Sequence, residues 1–127
     1  MAITQINVSS PSNEIIFNDS AMGATADAIK GSSAKVYAVT VDNSGNGGAA
    51  SYVKLFNLAA GSVTPGTTAP DEIIYVPAGA VITHTFFTGA NPGKTFASAL
   101  SAICVTAGGT AGTTPPVSNV SVSVNYV

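Results

Sequence analysis

Strict alternation of apolar and polar residues is the clearest pattern in this chain. Near the carboxyl end, Val120, Val122, Val124 and Tyr126 alternate with Ser and Asn residues. A period of two places one set of side chains on each face of a pleated strand. The pattern therefore predicts a strand over residues 117–127.

The same alternation occurs on both sides of a glycine-rich segment in the first half of the chain. Residues 35–42 and 51–58 each alternate, and the Asn- and Gly-rich residues 43–48 between them are typical of a turn. We therefore expect a β-hairpin over residues 34–58 with a soft tip, to which the other strands are added.

A second hairpin is predicted from residues 71–76 and 81–87, which flank a Pro-Ala-Gly-Ala turn. Further strands are predicted over residues 14–18, 25–30 and 96–106. The alanine content of the last two segments also permits helix. The branched residues near the end of 96–106, and the turn sequence that follows residue 30, favour strand in both cases.

Strand number and spacing define the predicted fold class. About seven or eight strands follow one another at intervals of roughly ten residues with turn residues between them, which predicts an all-β protein, an antiparallel β-sandwich. A jelly-roll is one way to connect such strands. Residues 14–127 are expected to form a single domain, and the polar residues 1–13 an extended N-terminal arm.

Composition points to a protein that works inside an assembly. Charged residues make up 8% of the 127 residues, against about 25% in an average soluble protein, and the formal net charge is −2. Uncharged polar surfaces lose little on burial and do not repel one another. The four lysines are too scattered for a nucleic-acid interface. The sequence shows neither a secretion signal nor an apolar run long enough to span a membrane, so we expect no membrane partner.

Two segments imitate ligand-binding motifs without meeting their requirements. Residues 89–95 resemble a phosphate-binding loop but have three residues, not four, before the Gly-Lys-Thr. Residues 42–47 begin like a calcium loop, but the twelfth position is Val53 where a bidentate carboxylate is needed. Turns are the preferred interpretation of both segments.

Catalytic residue patterns are also missing from the sequence. His84 is the only histidine, and the neighbouring Asp71 and Glu72 would point to opposite faces of a strand. Cys104, the only cysteine, lies in an apolar run that favours a packing role. We therefore predict no enzymatic activity, no cofactor and no metal. Aromatic side chains suited to a carbohydrate groove are also candidates for the core: Tyr37, Tyr52, Phe56, Tyr75, Phe86 and Phe87.

A series of short motifs resembles a recurrent type of small virion protein of tailed bacteriophages. It consists of a Lys-Gly-Ser entry into a Val-Tyr strand, a Tyr-Val-Lys-Leu strand, a Gly-Thr-Thr-Ala-Pro loop, a Val-Pro-Ala-Gly turn and a final Val-Asn-Tyr-Val strand. These motifs lie in residues 29–43, 52–56, 66–70, 76–79 and 124–127. The resemblance leaves residues 1–28 uncovered. It implies a β-sandwich structural protein of the particle, of the capsid decoration or cement type.

The partners expected from this resemblance are the major capsid protein and further copies of the chain in a homotrimer. The protein would be made in the host cytoplasm and would lie on the outer capsid surface of the virion. We expect contacts from the arm, residues 2–12, and from the loops 43–48 and 107–116. The individual contact residues predicted are Ile3, Gln5, Asn7, Asn46, Thr110 and Thr113.

Two other functions fit the same sequence. A tail, baseplate or head-fibre component would have the same composition and the same resemblance. A host-glycan binding module would require exposed aromatic residues grouped on one face.

Overall fold

The computed structural model describes residues 14–127, which form two antiparallel sheets packed face to face. The described residues contain no α-helix and a single 3₁₀ turn, Ala60–Ser62. The predicted arm, residues 1–13, lies outside the described residues. The strands are β1 (Ile15–Asp19), β2 (Asp27–Lys30), β3 (Ala34–Asp42), β4 (Ser51–Phe56), β5 (Glu72–Val76), β6 (Val81–Thr85), β7 (Phe87–Thr88), β8 (Asn91–Pro92), β9 (Lys94–Phe96), β10 (Leu100–Val105) and β11 (Ser121–Tyr126).

The order of the strands is that of a jelly-roll. Sheet A has the order β1-β11-β3-β6, with β9 also paired to β3, and sheet B has the order β2-β10-β4-β5. If β6 and β9 are taken as one strand, sheet A contains the first, eighth, third and sixth strands and sheet B the second, seventh, fourth and fifth. Two four-stranded antiparallel sheets connected in this way form a jelly-roll, so the predicted β-sandwich is confirmed.

The core lies between the two sheets and follows the predicted alternation. Val122 and Val124 of β11 are fully buried, as are Val53 and Leu55 of β4 in the opposite sheet. Burying each such side chain contributes about 1.5–3 kcal/mol. The strand predicted at the carboxyl end is therefore confirmed, with its apolar set inside and its Ser and Asn set outside.

Both predicted hairpins are wrong, although the strands within them are right. β3 lies in sheet A, where it pairs with β11, β6 and β9, whereas β4 lies in sheet B between β10 and β5. Residues 43–50 therefore cross from one sheet to the other instead of forming a hairpin tip. Likewise β5 lies in sheet B and β6 in sheet A. Alternation identifies a strand but carries no information on its partner, and a turn sequence serves a crossing between sheets equally well.

Sheet A contains an irregularity at Tyr37. Val36 lies opposite Tyr126 and Ala38 opposite Asn125, so Tyr37 is an extra residue in β3, a β-bulge. On the other side of β3, Phe86 donates its N–H to the carbonyl of Tyr37, and the chain then leaves the sheet as the β7–β8 hairpin before β9 resumes the pairing. The hairpin therefore projects from sheet A at the position of the bulge.

The two long edges of the sandwich are closed by different side-chain pairs. On one edge Lys94 of β9 contacts Glu72 of β5 at 2.6 Å and donates a hydrogen bond to the carbonyl of Asp71. On the other edge Asp27 at the start of β2 lies against Asp19 at the end of β1. Burial, followed by the hydrogen bond and repulsion from Asp19, raises the pKa of Asp27 to about 6. An ion pair thus joins the two sheets at one edge, and a pair of carboxyl groups joins them at the other.

Candidate functional site

Within residues 14–127 the outward side chains of sheet A are exposed or partly exposed, and its two central rows are uncharged; we call this surface the open face. The strand register places Thr83 beside Thr40, and their hydroxyl oxygens are 3.0 Å apart. Exposed apolar residues lie at the margin of the two rows. Ile16 is the end member of one row, and Val81 and Phe87 lie beside the rows. A face of this kind can contact another protein at a small cost in desolvation. The residues of the two rows other than Ile16 are Asn18, Ser123, Thr40, Thr83, Asn125, Ala38 and Thr85.

A cleft of about 350 Å³ lies on the open face between the bulge and the projecting hairpin. Its walls include Tyr37 at the bulge and Phe87 on β7, and Phe87 is 67% exposed. Glu14, Thr85 and Asn125 supply polar groups at the same cleft. The volume lies at the lower end of the range for ligand pockets. Two aromatic side chains of the predicted groove set, Tyr37 and Phe87, are therefore brought together.

The outer face of sheet B is covered over β4 and β10, in contrast to the open face, whereas Ile73 and Tyr75 on β5 are exposed. Its side chains Phe56, Ile103 and Val105 form a second apolar cluster with Val63, which comes from the loop between β4 and β5. We call this the covered face, and we call residues 57–71 and 106–116 together the lid. Together with Ala24 and Ala26 from the segment before β2, the lid shields this cluster from water.

Close contacts hold the two lid loops to the sheet and to each other. A side-chain carbon on Gly66, which has a φ of +85°, would lie 2.6 Å from the Cγ2 atom of Thr113. A side chain on Gly108 would lie 3.0 Å from the ring of Tyr52. At the base of the first loop, Asp71 accepts the N–H of Asn57 at 2.6 Å. The lid therefore has little room for a larger residue at Gly66 or Gly108.

Lys54 lies in the middle of the covered face and is 1% exposed. In register, its neighbours are Ile73 on one side and Ile103 on the other. Its Nζ atom has no hydrogen-bond partner, which makes it the only such buried side-chain atom in the described part of the chain. Burial lowers the pKa of Lys54 below its ordinary value.

The predicted contact loop 43–48 is held in place by two buried asparagines. Asn43 donates to the carbonyls of Ala49 and Pro77 and accepts from the hydroxyl of Ser51 at 2.8 Å. Asn46, one of the predicted contact residues, is 7% exposed; its amide group bonds to Asn43 and to the backbone of Ser118. The Asn46 side chain thus joins two loops, and the exposed surface of this loop belongs to its neighbours.

The other predicted contact residues lie in different places. Thr113 is exposed on the lid against Gly66, and Thr110 is partly exposed on the same loop. Ile3, Gln5 and Asn7 lie outside residues 14–127. The structure therefore brings Thr110 and Thr113 together on the lid, whereas Asn46 belongs to a separate loop that crosses between the sheets.

The groups considered for catalysis are placed apart from one another. His84 packs edge-on against Phe86, with ring centroids 4.6 Å apart. Cys104 is fully buried, as its packing role predicts, and burial raises its pKa to about 12. Glu72 forms an ion pair with Lys94, and the Asp71 carboxylate accepts the N–H of Asn57.

The motif-like segments are turns in the structure. Residues 89–95 run through the β7–β8 hairpin into β9, and Gly93 within them has a φ of +94°. In residues 42–47 the Asp42 carboxylate accepts the N–H of Ser44, while the amide of Asn46 is engaged within the protein. Over residues 14–127 no group of three or more His, Cys, Asp or Glu side chains is placed to hold a metal ion.

Two features were missed by sequence reasoning. Lys54 was counted among scattered lysines, although it lies in β4, a strand with apolar residues on both faces; that double-sided pattern is the signal of a covered strand. The cleft could not be found, because it depends on an extra residue in β3 and on a hairpin that leaves the sheet beside it.

Comparison of the chain with protein-family models, with curated proteins and with solved structures finds no match. Within the part of the chain that the structure describes, no helix has the length and apolar character needed to cross a membrane.

Proposed function

We propose that this chain is a structural protein of a tailed-bacteriophage virion, a decoration protein that binds the outside of the major capsid shell as a homotrimer. The observation that carries the proposal is the open face, with two uncharged rows bordered by Ile16, Val81 and Phe87. Such a surface supports association with further copies of the chain. The motif resemblance over residues 29–127 and the jelly-roll architecture, which recurs in viral capsid proteins, also support it.

Binding to the shell would stabilise the capsid by mass action, because a protein that binds only the assembled state favours that state. In this proposal the open face makes the contacts between copies. The arm, residues 2–12, and the loops 43–48 and 107–116 make the contacts with the major capsid protein. The proposal requires the protein to lie on heads; a tail, baseplate or head-fibre location is the alternative within the same class.

The oligomeric state of the protein tests whether the open face makes the contact between copies. Wild-type protein is expected to sediment as a trimer, and Thr83→Lys, which places a charge in the centre of the open face, is expected to sediment as a monomer. Three ammonium groups brought together at a trimer contact would repel one another. Thr67→Lys adds the same charge to an exposed residue of the lid and should leave the trimer intact. A wild-type monomer, or a trimer that tolerates Thr83→Lys, would contradict the assigned contact.

The capsid contact is tested by co-sedimentation with empty shells of the same virus. Wild-type protein should sediment with the shells, and the protein lacking residues 2–12 should bind more weakly while it unfolds at the same urea concentration. Equal binding by the shortened protein would remove the arm from the interface. Cryo-electron microscopy of separated heads and tails would distinguish decoration from a tail location.

The cleft favours one second function, a host-glycan binding module. Tyr37 and Phe87 offer aromatic surface, and Glu14, Thr85 and Asn125 offer hydrogen-bonding groups, which together suit a sugar ring. A glycan array with wild-type protein tests this function, with Phe87→Ala expected to lose any signal. Tyr75→Ala is the matched control, because Tyr75 is an exposed aromatic on sheet B. An array without hits would remove this candidate.

A further inference from the structure

The covered face contains a lysine in surroundings that do not suit a positive charge. Lys54 lies between Ile73 and Ile103 in sheet B, and its neighbours two residues away on the same side of β4 are Tyr52 and Phe56. The side chain is 1% exposed. A charged ammonium in such a place loses its hydration and gains little in return.

Both lid loops pack on side chains that surround Lys54. Val63, from the first lid loop, packs on the same apolar cluster as Phe56 and Ile103. The second loop lies against the ring of Tyr52 at Gly108 and against the first loop at Gly66. Movement of the lid away from the sheet would therefore bring water to Lys54.

No charged group compensates Lys54 within the described residues. The lid contains one ionisable residue, Asp71, and its carboxylate is engaged by the N–H of Asn57. On β5, Glu72 pairs with Lys94, and on β10 the only ionisable residue, Cys104, belongs to the core between the sheets. Tyr75, on β5, and Tyr52, on β4, are the remaining ionisable neighbours on this face, and their rings contact each other at 5.4 Å.

We infer that Lys54 is a proton-linked latch for the lid: the closed lid disfavours the charged form of its amine, and opening of the lid is coupled to the uptake of a proton. The geometry alone requires this coupling, because an amine prefers its charged form in water and its neutral form in an apolar enclosure. The latch is independent of the capsid proposal, since it concerns only the fold of one chain.

The direction of the pH effect follows from the two states. In the open state the amine titrates as an ordinary lysine, with a pKa of 10.5, and in the closed state burial lowers this pKa. The open state therefore binds the proton more tightly, so acid favours opening. Between the two pKa values the opening constant rises up to about tenfold for each unit by which the pH falls, and below the lower pKa it is constant.

Opening would uncover the apolar side chains Phe56, Ile103 and Val105, which the lid now covers. The latch thus makes exposure of an apolar surface depend on pH.

Acylation of the lysines by sulfo-N-hydroxysuccinimidyl acetate tests the state of the amine directly. Absolute rates are measured by mass spectrometry at each lysine, and for free Nα-acetyl-lysine in the same solution, between about pH 7 and pH 10. Free Nα-acetyl-lysine should react about tenfold faster for each pH unit, because its neutral fraction grows tenfold, and Lys30, partly exposed on β2, is the comparison within the protein. Lys54 should instead reach a pH-independent rate once the pH exceeds its closed-state pKa, because the amine is then already neutral and only opening limits it. A Lys54 rate that rises in parallel with Lys30 over the whole range would overturn the latch.

Substitution of Lys54 provides the second measurement. Subtilisin cleavage within the lid, normalised to an unstructured peptide, should slow with rising pH in the wild type. Lys54→Met, which keeps the apolar stem and removes the amine, should be cleaved slowly and equally at every pH. Lys54→Arg, whose guanidinium stays charged, should be cleaved at least tenfold faster than wild type at the upper end of the range. Lys30→Met is the matched control and should behave as the wild type. A lid that opens with the same pH dependence in Lys54→Met as in wild type would exclude Lys54 as the latch.

Discussion

The two outer faces of the sandwich have opposite relations to water. On the open face, polar hydroxyl side chains such as Thr83 and Ser123 point outward, and none of the loops in residues 14–127 buries them. On the covered face, Phe56, Ile103 and Val105 point outward and are buried by the lid. Sheet A thus packs against another layer on one side only, whereas sheet B lies between sheet A and the lid.

The difference originates in the strands themselves. β11 alternates between buried Val and outward Ser or Asn, so it needs cover on one side only. β10 is buried at all six of its positions, so it needs cover on both sides. The long Gly-, Thr- and Pro-rich loops supply that second cover. Their low-complexity sequence is therefore compatible with a specific packing role, which we expect to dominate the stability of the covered face.

The largest contrast between the faces is expected for loss of a large side chain. Phe56→Ala removes a ring that is 1% exposed beneath the lid and should lower the free energy of unfolding by about 3–5 kcal/mol. Thr83→Ala on the open face should cost about 0.5 kcal/mol. Urea unfolding at pH 7 measures both. Equal losses would show that the lid contributes no more than an exposed surface does.

The next largest effect is expected at a glycine between the lid loops. Gly66→Ala combines a positive φ with a side-chain carbon 2.6 Å from Thr113 and should cost about 2–3 kcal/mol. Gly89→Ala, in the hairpin beside the open face, also has a positive φ but meets no atom within 4 Å, so about 1 kcal/mol is expected.

A double variant separates the two causes at Gly66. Thr113→Ala in the Gly66→Ala background removes the methyl group in the way and should recover part of the lost stability, measured by urea unfolding. If Gly66→Ala costs no more than Gly89→Ala, the two lid loops are not in tight contact.

A smaller effect is expected where the two sheets meet at the carboxyl pair. The pKa of Asp27 is about 6 in the fold, above its ordinary 3.8, so the folded protein holds a proton that the unfolded chain releases. The stability from this group is complete below about pH 4 and is lost as the pH rises to about 6. Asp27→Asn should therefore stabilise the protein at pH 7 by about 1 kcal/mol, after allowance for solvent screening, and have little effect at about pH 4.

Asp19→Asn provides the check on this pair. Removing either carboxylate relieves the same repulsion, so the double variant should gain less than the sum of the two single variants in urea unfolding at pH 7. Additive gains would mean that the two carboxylates titrate independently.

Alternation in the sequence was sufficient to predict β3, β4, β5, β6 and β11, because burial of one face follows directly from a period of two, whereas β2 and β10 were predicted from branched residues and a following turn. It could not predict sheet membership. β3 and β4 are adjacent in the chain and both alternate, yet the side-chain hydrogen bonds of Asn43 stabilise a crossing between sheets where a hairpin turn was expected. The residue type alone does not indicate whether an asparagine is exposed in a turn or buried with its amide hydrogen-bonded.

The candidate sites depend still more on tertiary structure. Asn46 lies in a polar turn sequence that suggested exposure, but its amide is satisfied by Ser118, which is distant in the chain. The apolar residues on both faces of β4 mark Lys54 as part of a covered strand, but the segments that cover it are seen only in the structure. The cleft of the open face requires both the bulge at Tyr37 and the projecting hairpin.

The smallest effect is expected in the centre of the open face, at the hydroxyl pair of Thr40 and Thr83. Each single substitution to Val should cost about 0.5 kcal/mol, because the remaining hydroxyl loses its partner, whereas the double variant should unfold at the wild-type urea concentration. Both side chains stay β-branched, so the strands keep their preference for the sheet. If the double variant is as stable as the wild type but less soluble or altered in oligomeric state, the hydroxyls of the open face serve its surroundings and not its folding. A large loss of stability in the double variant would instead make the open face a structural element comparable to the covered one.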